Sequence, residues 1–247
     1  MRLDAVFSPA GLGSTEVQGR TAFVIDILRA TTSICAALHH GAKALIPAGS
    51  TEEALRLAQT IGSDDVLLAG EKNCLRIPGF HLGNSPLEMT EPTVRGKTVI
   101  VTTTNGTKAM LACQGAAAVY GTCAGNLSVS AERAREVLEH DGRVLIVCAG
   151  RDGAFSLDDA YCAGRLIAAA LGGQPSRRGL NDAAIASLDL VRRYGDDWHR
   201  PLRRSRAGRE LIKQGFRDDI LDAARLDAYP VLAHFHERRV TLAPVPV

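Results

Sequence analysis

Short runs of apolar and β-branched residues alternate along the chain with longer stretches whose apolar positions recur every three or four residues. The short runs predict strands at Leu3–Phe7, Thr21–Ile27, Ala44–Pro47, Val66–Ala69, Thr98–Thr102, Ala117–Tyr120 and Val144–Cys148. The longer stretches predict helices at Thr31–His40, Thr51–Ile61, Gly106–Ala112, Ser128–His140, Leu157–Leu171, Asn181–Tyr194 and Arg203–Lys213. Strands that are apolar at nearly every position have both faces covered, and helices between them act as crossovers of parallel pairs. The expected fold is one α/β domain over residues 1–247, a three-layer α/β/α sandwich with a largely parallel or mixed sheet. The tail "LAPVPV" reads as an edge strand or a docked terminus.

Composition narrows this picture. The 247 residues, 46% of them hydrophobic, are enough to bury a sizeable core. The six cysteines (Cys35, Cys74, Cys113, Cys123, Cys148 and Cys162) form no CxxC pair and read as small buried hydrophobes in a reducing compartment. The N-terminal "MRLDAVFSPAG" lacks the long apolar stretch of a signal peptide, and no apolar run reaches membrane-spanning length, so a cytoplasmic protein is expected. A net charge of +2 and 4% aromatics give no basis for nucleic-acid binding. The Arg-rich segment from Gly173 to about Asp219, which includes Arg177, Arg178 and Arg206, has acids mixed in and reads as a solvated helical face.

In parallel sheets, ligands bind beyond the carboxyl ends of the strands. Here four predicted strand exits carry polar groups. The first, "VIDILRATTS", places Asp26 at the end of an apolar strand, followed by Arg29, Thr31 and Thr32. A carboxylate there needs a partner, water or a metal. It fits either an Asp26–Arg29 ion pair with a helix cap or a site in which Arg29 presents a fork to an anion. The stretch resembles the haloacid-dehalogenase nucleophile strand, but Leu28 stands where a second Asp is required, which excludes an aspartyl-phosphate mechanism of that type.

The second exit is the long Gly-, Pro- and Asn-containing loop "AGEKNCLRIPGFHLGNSPLE". It offers Glu71 as metal ligand or base, and Lys72, Arg76, Asn84 and Ser85 for anionic groups; His81 reads as structural. The third is "VIVTTTNGTKAM". Thr103, Thr104, Asn105, Gly106, Thr107 and Lys108 form either a phosphate cradle at a helix start or a Thr-capped helix after an Asn-Gly turn. The GxxxxGK[ST] spacing of a Walker loop is absent. The fourth, "CAGRDGAFSLDDAYCAG", brings Arg151, Asp158 and Asp159. Ser156 and Asp159 have the spacing of a capping box, and one of the two Asp could hold Mg²⁺. Asp218 and Asp219 read as helix-capping acids, and His234 and His236 as structural.

Taken together, "VIDILRATTS", "AGEKNCLRIPGFHLGNSP", "VTTTNGTKA", "VCAGRDGAFSLDDAYCAG" and "SRAGRELIKQGFRDDI" resemble the 2-phosphosulfolactate phosphatase family over about residues 20–230. The resemblance implies an α/β/α fold, Mg²⁺ dependence and removal of phosphate from 2-phosphosulfolactate in coenzyme M biosynthesis. It supports Asp26, Arg29, Thr31 and Thr32, then Glu71, Asn73, Gly83, Asn84, Ser85 and Pro86, then Thr103–Thr107, and finally Gly150, Ser156 and Asp159. Members often carry Arg where this chain has Lys72 and Lys108, and Asp where it has His81.

The expected site therefore has Asp26, Arg29 and Glu71 as catalytic residues. Lys72, Asn84, Ser85, Thr103, Thr104, Asn105, Gly106, Thr107, Lys108 and Arg151 would hold substrate, and Asp26, Glu71 and Asp159 the Mg²⁺. The expected partner is a small anionic phosphorylated substrate, with neither nucleic acid nor membrane, in a possible homodimer. Alternatives are a phosphatase for another small phosphorylated carboxylic acid, or a non-enzymatic anion-binding protein.

Overall fold

The computed structural model describes residues 2–62, 64–140, 142–172 and 179–243. Its strands are β1 (Arg2–Val6), β2 (Thr21–Ile25), β3 (Ala44–Pro47), β4 (Val66–Lys72), β5 (Leu75–Arg76), β6 (Thr98–Thr102), β7 (Ala118–Thr122), β8 (Arg143–Cys148), β9 (Ala233–His236) and β10 (Arg239–Leu242). Its helices are α1 (Ser14–Val17), α2 (Ala30–His39), α3 (Thr51–Ile61), α4 (Glu91–Val94), α5 (Gly106–Ala112), α6 (Leu127–His140), α7 (Leu157–Ala170), α8 (Asp182–Tyr194), α9 (His199–Arg204), α10 (Arg206–Lys213) and α11 (Arg217–Ala223). Among the described residues these strands form one sheet in the order β1-β8-β2-β7-β9-β10-β3-β6-β4-β5, consistent with the α/β/α sandwich. No helix among them is long and apolar enough to cross a membrane.

The sheet has two parallel blocks, β1-β8-β2-β7 and β3-β6-β4. The β9–β10 ribbon lies between them and pairs antiparallel with β7 on one side and β3 on the other. The three reversals leave the blocks running in opposite senses. Twist of roughly 20–25° per strand accumulates over the steps from β2 to β6 and rotates one block against the other. Register aligns the exits within each block. Ile25 pairs with Cys148 and Gly70 with Thr102, so Asp26 leaves the sheet beside Ala149, and Glu71 beside Thr103.

Burial follows the sequence pattern. All of β2 is buried, as is all of β8 except Arg143, which is what continuous apolar runs require. The long α7 is buried over most of its circumference, with α6 and α8 packed against it. The close approach of α8 depends on Gly164, where a side chain would overlap the Ser187 carbonyl oxygen. Asn181 caps α8 and ties it to the edge strand β1: its Oδ1 accepts from Ala184 and Ala5 N–H, and its Nδ2 donates to the Ala5 carbonyl. Five of the cysteines are buried, Cys74 is half-buried, and all six are free.

The ribbon and the C-terminal helices depart from the sequence reading. Interior strands β9 and β10 stand where no strand was expected before the tail; Pro244–Val247 lie outside the described residues, as do Arg177 and Arg178 of the Arg-rich segment. The ribbon turns through Glu237 and Arg238, both at positive φ, whereas such turns usually carry Asn-Gly. The expected helix over Arg203–Lys213 breaks at Ser205, whose hydroxyl donates to the Leu202 carbonyl and accepts from Gly208 N–H, starting a new helix.

Gly164→Ala tests the α7–α8 contact. Helix propensity favours Ala by ~1 kcal/mol, but the new methyl would overlap backbone and lie 2.8 Å from Val191 Cγ2. Overpacking at the upper end of ~1–3 kcal/mol outweighs the propensity gain. The variant is expected to unfold several degrees below wild type in a thermal melt.

Candidate active site

Asp26 follows the last residue of β2 and is buried. The loop after it is stitched by its own threonines. Thr31 Oγ1 donates to the Asp26 carbonyl and accepts from the Asp26 N–H, and Thr32 Oγ1 donates to the Ile27 carbonyl at 2.8 Å. The Asp26 carboxylate meets the backbone amides of Ala30, at the start of α2, and Gly106, at the start of α5. Gly106 permits this approach: a Cβ there would overlap the Ala30 methyl and lie 2.6 Å from Asp26 Oδ2. Burial, with Asp158 and Glu71 close by, pushes Asp26 up to about 7 against the pull of the two amides. The charge facing the start of α5 is thus the protein's own carboxylate.

Beneath Asp26 lie Asp158 and Asp159, both buried on the first turn of α7. Asp159 fastens two strand exits together: Oδ1 accepts from Ile27 N–H and Oδ2 from Gly150 N–H, each at 3.0 Å. Burial and the nearby Asp158 and Asp26 hold Asp159 well above the usual carboxylate range, and burial raises Asp158 as well. Ser156 stands at the N-cap, but its hydroxyl bonds to Asp158, so the expected capping box with Asp159 does not form.

Glu71 sits near the end of β4, where the β4–β5 turn and the β6 exit meet. Its Oε2 accepts from Cys74 N–H at 2.8 Å, and its Oε1 from Thr104 N–H at 3.0 Å and Thr104 Oγ1 at 2.8 Å. Thr103 and Thr107 cap each other's backbone, each hydroxyl accepting from the other's N–H. Asn105 Oδ1 accepts from Asp152 N–H at 3.4 Å, linking the β6 and β8 exits. The hydroxyl-rich stretch is therefore mainly a fastening, with Thr104 and Asn105 left facing a cleft.

Arg29 does not pair with Asp26. Its guanidinium, 3% exposed, donates to Asp219 Oδ2 and to the Cys74 carbonyl, both at 2.7 Å, and lies 4.6 Å over the Phe216 ring. Asp219, also 3% exposed, accepts from Ser85 Oγ at 2.6 Å through its other oxygen. Asp219 is thus more than the helix-capping acid expected. Ser33 Oγ donates to the Asn84 carbonyl at 2.7 Å and fixes the same loop from α2. The Leu28–Arg29 peptide is cis.

These parts enclose a cleft of about 320 Å³. Of the expected site residues, Asp26, Arg29, Glu71, Asn84, Thr104, Asn105 and Arg151 line it. Lys72 and Lys108 are exposed and lie outside the lining. Ser85, Thr103 and Thr107 hold the framework, Gly106 backs Asp26, and Asp159 lies behind the wall. His81 is also outside; its Nδ1 accepts from Leu68 N–H. The lining holds three guanidiniums (Arg29, Arg151 and Arg206) and four carboxylates (Asp26, Glu71, Asp152 and Glu210).

One face of α10 with its C-cap, carrying Arg206, Ala207, Glu210, Leu211 and Gln214, completes the cleft. Sequence reading assigned this segment to solvent. The signal available was the four-residue spacing of 206, 210 and 214, which puts them on one helix face.

Asp26 has no cationic side chain paired with it among the described residues, although Glu71 and Asp158 add negative charge around it. An all-oxygen, acid-rich setting suits a hard divalent cation. Among the described residues no group of three His, Cys, Asp or Glu side chains could hold a metal alone. Asp26 and Glu71, which both line the cleft, could hold a cation completed by water and ligand oxygens, whereas Asp159 lies behind the lining.

The family model described as 2-phosphosulpholactate phosphatase matches residues 6–238. A protein of Symbiobacterium thermophilum named as a probable 2-phosphosulfolactate phosphatase is 42% identical over 92% of this chain and 96% of its own length. One of Clostridium novyi with the same name is 33% identical over 98% of this chain and 100% of its own. A third, from Clostridium acetobutylicum, is 40% identical over 68% of this chain and 69% of its own.

Two stability outcomes follow. Burial and the neighbouring Asp158 and Glu71 push Asp26 from the ordinary 3.8 up to about 7, so the folded state holds a proton that the unfolded state releases between those values. Stability is therefore lost as pH rises through that window. In chelator at pH 8, Asp26→Asn should melt several degrees above wild type, at ~2–4 °C per kcal/mol recovered, and the gain should shrink toward pH 5. Asp219→Ala leaves Arg29 charged, buried and without its carboxylate; a loss of ~3–5 kcal/mol is expected in denaturant titration.

Proposed function

The chain belongs to the 2-phosphosulpholactate phosphatase family, and on that footing we propose that its cleft hydrolyses the phosphate ester of 2-phosphosulfolactate with the help of Mg²⁺. The observation that carries the reading is the meeting of Asp26, Glu71 and Arg151, from three different strand exits, in one cleft of about 320 Å³.

Asp26 and Glu71 would hold the Mg²⁺ together with substrate oxygens. When bound, the ion neutralises charge on the phosphoryl oxygens and acts as a Lewis acid. The chain's own groups supply position and field. Glu71 is fixed by donors from Cys74 and Thr104, and a carboxylate held in this way can orient the attacking water. Arg151 lines the cleft, and its guanidinium would meet the phosphoryl group as charge shifts toward the ester oxygen. The Asn84 amide, on a loop held by Ser33, would meet the substrate carboxylate. Water oxygen bonds to phosphorus as the phosphorus–ester oxygen bond breaks, the attacking water gives up a proton to solvent, and the ester oxygen takes one from solvent and leaves as the hydroxyl of sulfolactate. Such a reaction rests on positioning and electrostatics more than on covalent chemistry from the protein. The product would feed coenzyme M formation, as the family resemblance implies.

Arg29 has a different place in this reading. Its fork is committed to Asp219 and Cys74, so it holds the wall of the cleft and presents only its remaining edge to the ligand.

Phosphate release from 2-phosphosulfolactate, 2-phospholactate and phosphoglycerate, with and without Mg²⁺, tests the proposal. Asp26→Asn should lose Mg²⁺-dependent release while remaining folded, and Arg151→Ala should lose ~100-fold or more in kcat. Tight binding of these acids with no release under any divalent metal would instead mark an anion-binding protein.

A further inference from the structure

We propose that Arg206, at the start of α10, is the specificity-determining residue that receives the sulfonate of the substrate. The inference rests on the phosphatase reading of the cleft and deepens it.

The chemistry of 2-phosphosulfolactate sets the requirement. Its carboxylate and phosphate share neighbouring carbons, and its sulfonate stands one carbon further along and stays ionised at every relevant pH. A cleft that distinguishes this molecule from other phosphorylated acids needs a cation beyond the phosphoryl-binding groups. Lys72 and Lys108 lie outside the lining. Arg29 is locked between Asp219 and the Cys74 carbonyl at 3% exposure. Arg151, which lines the cleft from the β8 exit, is taken by the phosphoryl group in the proposed reading. Arg206 remains, with a side chain 64% exposed where the cleft opens.

Arg206 combines a fixed base with a free head. Ser205 caps α10 from a buried position, its hydroxyl accepting from Gly208 N–H at 2.9 Å, and Gly208 packs so closely on the Leu202 carbonyl that a methyl group there would overlap it. The backbone of Arg206 is therefore held by a rigid corner. Its guanidinium meets Asp152 at 3.6 Å, a loose and exposed pair, and such pairs contribute little. Exchanging Asp152 for a sulfonate costs little and gains a fork matched to two of the three sulfonate oxygens. The backbone of Asp152 donates to Asn105 at 3.4 Å, so both partners of the resting pair belong to the lining of the cleft.

The experiment compares phosphate release from 2-phosphosulfolactate with release from 2-phospholactate, which lacks the sulfonate, in wild type, Arg206→Ala and Arg206→Lys. Loss of a charge-assisted contact should reduce the ratio of the two kcat/KM values roughly 10- to 100-fold in Arg206→Ala, through KM rather than kcat. Arg206→Lys, which keeps charge and loses the fork, should restore part of it. A ratio in Arg206→Ala equal to that of wild type overturns the assignment, as does a wild type with no preference between the substrates. Release from neither substrate by wild type overturns the phosphatase reading itself, and this inference with it.

Discussion

The buried ion pair between Arg29 and Asp219 is the constraint on which the cleft depends. Taking both charges out of water costs several kcal/mol each, and a bare pair would not recover it. Here every side of the pair is satisfied: Cys74 offers a carbonyl, Ser85 a hydroxyl and Phe216 a ring face. Only a planar fork can serve carboxylate, carbonyl and ring together, which is why the position suits Arg and not Lys. The pair joins residues 190 apart in sequence and binds the β2 exit, the β4–β5 turn, the loop at Ser85 and α11 into one body. Because α10 runs into Phe216 and α11, the helical wall of the cleft takes its place from the same contact.

A second economy concerns negative charge. Asp26, Asp158 and Asp159 lie together in the interior, and only Asp26 lines the cleft. Asp159 serves as a clasp for two backbone amides, and the amides at two helix starts receive Asp26. Four carboxylates against three guanidiniums leave the lining without the net positive charge that an anionic substrate calls for. On the proposed reading, a divalent cation beside Asp26 and Glu71 would reverse that balance.

Much of this was legible in the chain. Apolar runs located the parallel strands, and their polar exits located Asp26, Glu71, Thr104, Asn105 and Arg151, because strand ends in such sheets face ligands. What escaped was long-range or atypical. Asp219 reads as a capping acid because nothing local announces a partner at Arg29. Arg206 reads as a surface charge and is one; it is also part of the cleft, a distinction that depends on where the helix docks. The Ser156–Asp159 spacing has the form of a capping box, but tertiary amides at Ile27 and Gly150 compete for the carboxylate and win. The β9–β10 ribbon turns on Glu-Arg, two residues that seldom signal a hairpin.

The place of that ribbon has a consequence for how the molecule is made. Both parallel blocks precede it in the chain, yet the ribbon is what pairs with each of them and joins them. During translation, at ~5–20 residues per second, the two blocks leave the ribosome with open inner edges, and those edges stay open for seconds until the ribbon emerges. Unpaired edges are templates for association with other chains. Maturation of this protein is therefore most vulnerable in that interval, which insertion of the closing ribbon ends by completing the sheet.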